Sequence, residues 1–61
     1  MTPHEQKIID RITANGLIIS GTQMDGFEIG KATLMMLSAR GLVKIEPYDT
    51  EPPYRWKAVL A

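Results

Sequence analysis

Residues 30–45 read GKATLMMLSARGLVKI, and the phase of their apolar side chains decides what the rest of the chain packs against. Placed at about 100° per residue, Phe27, Gly30, Leu34, Leu37 and Gly41 fall within one narrow arc, which predicts a helix with a single core face. Gly30, lacking a Cβ, leaves room for a close backbone approach. Gly41 ends the helix just after Arg40, whose charge suits the negative end of the helix dipole. Upstream, Thr22 with Asp25 offers a cap for one isolated turn, and Asp25 with Glu28 offers a cap for a helix running through Phe27 into the main stretch. The second is favoured, with at most one turn before it.

Toward the C-terminus, residues 42–47 read as a strand, with Val43 and Ile45 on one face and Lys44 and Glu46 on the other. Residues 54–60 read as its partner, Tyr54, Trp56 and Ala58 alternating with Arg55, Lys57 and Val59. The intervening residues 48–53 are too many for a two-residue turn, and Pro52-Pro53 stiffens the loop. Toward the N-terminus, Thr2 as cap, Pro3 at the first helical position and Glu5 form a T-x-x-E capping box. That predicts a first helix with Ile8, Ile9 and Ile12 on its inner face and Gly16 as its left-handed stop. Residues 17–19, Leu-Ile-Ile, then predict a short strand.

Composition narrows the function classes. A chain of 61 residues forms one domain and buries only about 60% of its unfolded surface. Without cysteine, and with His4 as the only histidine, no disulfide or zinc set is available to staple it. Seven basic and seven acidic side chains give a formal net charge of zero, so no long-range field draws the chain to nucleic acid or an anionic membrane. No apolar run approaches membrane-spanning length and the N-terminus lacks a signal pattern, so a cytoplasmic protein is expected.

The residues TLMMLSARGLVKI, followed by YRWKAV, resemble the second half of a winged helix-turn-helix domain. In that family the recognition helix ends in a leucine, three residues, a glycine and an apolar pair. Here these are Leu37, Ser38-Ala39-Arg40, Gly41 and Leu42-Val43. The resemblance implies an α+β winged-helix fold of two main helices plus a three-stranded antiparallel sheet, in a reduced form whose second helix is shortened to GTQMDG. It also implies a small DNA-binding, transcription-regulator-like protein.

Two surfaces follow as candidates. For duplex DNA, Gln23, Lys31 and Thr33 lie near the start of the recognition helix and Arg40 at its end, with Lys44, Arg55 and Lys57 on the outer face of the hairpin. The cations suit phosphates, and Gln23 suits a base edge. Lys44, Arg55 and Lys57 also have a plainer use, pairing across strands with Glu46. Glu46, Asp49 and Glu51 make the loop between the strands acidic, which repels phosphate. The second surface is Ala32, Met35, Met36 and Ala39. Two adjacent methionines about 100° apart do not fit one core patch, so at least one is expected at an interface, the plainer use of Met36 being to fill a gap beside the first helix or Ile29. Flexible thioethers suit a protein partner or a homodimer.

Other motifs carry less. GFEIGKAT has three residues between Gly26 and Gly30 and a misplaced Thr33, so it is not a phosphate loop. Ser20 and Ser38 stand in no nucleophile pattern and His4 has no oriented partner, so no enzyme, cofactor, metal or small-molecule substrate is expected. Trp56, between Arg55 and Lys57, reads as a core anchor of the sheet.

Overall fold

The computed structural model describes residues 1–61. Its elements are α1 (Pro3–Asn15), β1 (Ile18–Ile19), β2 (Thr22–Met24), β3 (Phe27–Ile29), α2 (Lys31–Ala39), β4 (Val43–Pro47) and β5 (Trp56–Leu60). The molecule is a small α+β unit: a three-stranded antiparallel sheet in the order β1-β5-β4, a separate two-stranded sheet β2-β3, and two helices.

Helix α1 starts where the capping box sets it. The Glu5 amide donates to Thr2 Oγ1 at 3.2 Å, and the Thr2 amide donates back to Glu5 Oε1 at 2.9 Å. It stops at Gly16, whose φ of 88° lets its amide close on Ile12 O at 2.7 Å. Ile8 and Ile12 are buried and Ile9 packs at their margin.

The residues between β1 and α2 depart from the expected helix. Residues 22–29 form a β-hairpin with Met24 opposite Phe27 across a two-residue turn, Asp25-Gly26. Both turn residues have positive φ, 52° and 80°, the requirement of a type I′ turn, which matches the twist of the strands it joins. The hairpin buries Met24 and Ile29, so packing of two side chains outweighs the helix-capping potential of Asp25 and Glu28. Phe27 consequently leaves the core arc. It lies near the hairpin tip with its ring 5.1 Å from His4 of α1, and is 60% exposed. Gly30 is corrected too, since a Cβ built there meets nothing within 4 Å.

Helix α2 therefore begins at Lys31, with Gly30 as an N-cap that offers no side-chain bond. Its C-terminus is a Schellman motif. Gly41, at φ 78°, donates to Ser38 O at 2.9 Å, and Leu42 donates to Leu37 O at 3.1 Å. This turn delivers the chain directly into β4. Leu34 and Leu37 are fully buried, and with Ile8, Ile12, Ile18, Met24, Ile29, Val43 and Ala58 they make the core.

In the sheet, Ala58 sits between Ile18 of β1 and Ile45 of β4. Its small side chain is fully buried, which lets α1 approach the middle of β5. Ser20 ties the turn after β1 to β5 twice: its amide donates to Trp56 O at 2.7 Å, and its hydroxyl accepts the Trp56 amide at 2.9 Å. Trp56 itself is half-buried rather than a core anchor, and Tyr54 lies outside the strand, exposed.

Candidate interaction surface on the second helix

Burial of Leu34 and Leu37 fixes the rotation of α2 about its axis, and the opposite side of the helix follows from that phase. Ala32, Met35, Met36 and Ala39 are all exposed there, the methionines at 51% and 63%. These are the four positions expected from the sequence as a protein surface. They stand at i, i+3, i+4 and i+7, so they form one continuous stripe.

The residues expected to meet nucleic acid are mostly engaged within the molecule. Arg40 is ion-paired with Glu5, joining the end of α2 to the first turn of α1. Arg55 makes a forked contact with Asp49, Nε to Oδ2 at 2.7 Å and a second guanidinium nitrogen to Oδ1 at 3.1 Å, and its amide also donates to Oδ2 at 3.0 Å. Lys57 faces Glu46 across the β4–β5 ladder at 3.6 Å, the plainer cross-strand pairing expected for it. Lys31 Nζ lies 4.4 Å from the ring centre of Trp56, a cation–π contact that also covers the half-buried indole.

A fourth ion pair, Lys7 with Asp25 at 2.9 Å, fastens the hairpin tip to α1. Four of the seven Lys and Arg side chains thus hold a carboxylate partner. Lys44 is exposed on β4 and takes part in no ion pair, and Gln23 is exposed in the middle of β2 opposite Glu28. Thr33 is half-buried on the flank of α2.

These placements do not converge. Strand alternation puts Lys44 and Lys57 on the sheet face away from Ala58 and the core. Lys31 reaches Trp56, which shares the Ala58 side of β5. The basic candidates are therefore split between the two faces of the sheet, with Gln23 on a separate hairpin.

The ion pairs leave a mark on the titration of their members. The Thr2 backbone N–H, then its hydroxyl, and then Arg40 hold the Glu5 carboxyl down from its ordinary 4.5 to about 2. Hydrogen bonding to Lys7 and its charge hold Asp25 low, and the Arg55 fork does the same to Asp49 while raising Arg55. All serve as structural clasps.

Sequence reasoning missed the hairpin and the exposure of Phe27. The signal was present as Asp25-Gly26, a strong two-residue hairpin marker. No helix is long and apolar enough to cross a membrane. Comparison of the chain with models of known protein families, with curated proteins and with solved structures found no match.

Proposed function

We propose that this chain is a non-enzymatic protein-interaction module, a reduced winged-helix domain that docks a protein through the outer face of α2. The order helix, strand, hairpin, helix, two-stranded wing, with β5 between β1 and β4, supports the winged-helix reading. In it the hairpin β2-β3 occupies the place of the family's second helix. The observation that carries the function is the stripe of Ala32, Met35, Met36 and Ala39, apolar and exposed on the face where a helix that reads DNA needs basic and polar groups. The two methionines and two alanines are contiguous rather than scattered, the arrangement that marks an interaction face.

The test is site-specific photo-crosslinking from position 39 in a lysate of the source cells. A defined covalent adduct, with this chain or another protein, that disappears in the Met35→Lys, Met36→Lys double variant is expected. An adduct pattern indifferent to those substitutions contradicts the proposal.

Duplex DNA is the second reading, favoured by one observation: Lys44 is exposed and takes part in no ion pair. It predicts retention of a duplex at low salt that falls steeply as salt is added, with Lys44→Ala weakening it more than Lys31→Ala or Arg55→Ala. No retention at low salt removes this reading.

A further inference from the structure

Residues 31–40, KATLMMLSAR, are a chemical palindrome about the midpoint between Met35 and Met36. Lys31 mirrors Arg40, Ala32 mirrors Ala39, Thr33 mirrors Ser38, and Leu34 mirrors Leu37. Burial follows the same symmetry: the alanines and methionines are exposed, Thr33 and Ser38 are half-buried, and both leucines are buried. A helix keeps its outline when turned end over end about an axis perpendicular to its own. The palindrome therefore gives the outer face of α2 an approximate two-fold axis of its own.

We infer, resting on the proposal that this face docks a protein, that its partner is a second copy of the chain, the two α2 helices packing antiparallel about a dyad between Met35 and Met36. A two-fold interface requires a patch complementary to itself, residue i meeting j as j meets i. Here the dyad sets Ala32 against the partner's Ala39, and each methionine, keeping its own side of the seam, beside its own copy in the partner, so like size meets like.

The four side chains form one diamond on the helix surface, at i, i+3, i+4 and i+7. Alanines at the two axial corners let the helix axes approach, and the thioethers are flexible enough to turn along the seam. No charge lies in the stripe. The cations at its ends are drawn aside, Lys31 onto Trp56 and Arg40 onto Glu5, so the meeting of Lys31 with the partner's Arg40 end brings no collision. Antiparallel packing also sets each positive helix end beside a negative one.

The size of the seam sets its strength. Nine residues of α2 span about 14 Å, and such a contact falls below the roughly 800 Å² per partner of a standard interface. The dimer is thus reversible and concentration-dependent.

Because the chain has no cysteine, introduced thiols report the geometry cleanly. Ala32→Cys and Ala39→Cys variants are mixed and treated with a short bifunctional thiol crosslinker, with sedimentation of the unmodified chain run in parallel over a wide concentration range. The mixture is expected to give a covalent dimer several-fold faster than either variant alone, and the unmodified chain to gain mass with concentration. Met35→Lys with Met36→Lys abolishes that gain while the circular dichroism of the fold is retained. A chain that stays monomeric throughout, or single variants that crosslink as fast as the mixture, overturns the second-copy inference. The photo-crosslinking test fails separately, because an adduct with a different protein would leave the docking face standing.

Discussion

Arg40, the residue that closes α2, is ion-paired with Glu5 in the first turn of α1, a separation of 35 residues along the chain. Glu5 is also the second half of the α1 capping box. One carboxylate thus caps one helix and anchors the end of the other, which fixes how the outer face of α2 is presented.

The pH dependence of stability follows from this arrangement. Glu5 has its folded pKa lowered from 4.5 to about 2, so its contribution is fully present above pH 4.5 and is lost as pH falls toward 2. Asp25 and Asp49 are shifted in the same direction. Thermal melts should lose midpoint steadily across that acidic window, and Glu5→Gln should flatten the loss while lowering the midpoint at neutral pH. An unchanged acid profile in the variant contradicts the assignment.

Core and surface positions on the same segment should separate sharply. Leu34→Ala removes a fully buried side chain and is expected to cost about 2–5 kcal/mol, enough to unfold much of a domain this small. Phe27→Ala, despite removing a larger side chain, should cost less than about 1 kcal/mol because the ring is mostly in solvent. Urea titration of both variants measures the difference.

Two glycines make a second contrast. Gly26 has φ 80° in the hairpin turn, and Gly26→Ala should destabilise by about 1 kcal/mol through left-handed strain. Gly30, with extended backbone and open space around its Cβ position, is the uncapped start of α2. Gly30→Asp should stabilise by a few tenths of a kcal/mol to about 1 by supplying a cap acceptor and a charge suited to the helix dipole.

The clasp between Arg55 and Asp49 shapes the loop between β4 and β5. Asp49→Ala removes both arms of the fork and the acceptor of the Arg55 amide. Amide hydrogen exchange at Tyr48 and Arg55 should then accelerate, while Leu34 and Leu37 keep their protection. Uniform acceleration through the core would show that the loop is not an independent clasp.

Much of the fold was legible because its signals are local. Thr2, Pro3 and Glu5 specify one helix start, Gly16 and Gly41 specify two stops, and the alternation around Ala58 specifies the β4–β5 pair. Residues 22–29 were misread because Thr22, Asp25 and Glu28 satisfy helix-capping chemistry as well as they tolerate a hairpin. The Asp25-Gly26 turn signal favours the hairpin locally, and burial of Met24 and Ile29 against the rest of the molecule adds to it. The exposed stripe on α2 was legible once Leu34 and Leu37 fixed the helical phase. The engagement of Arg40 and Lys31 was not, because it depends on how α1 and β5 lie against α2.

The most direct measurement is an NMR comparison of the methionine methyl signals under two titrations, one raising the concentration of the chain itself and one adding a duplex at low salt. Docking of a second copy on α2 predicts that the Met35 and Met36 methyls shift with chain concentration, together with the Ala32 and Ala39 amides, and stay in place with duplex. Methyls that ignore chain concentration, with shifts at Lys31, Thr33 and Lys44 on adding duplex, would contradict it.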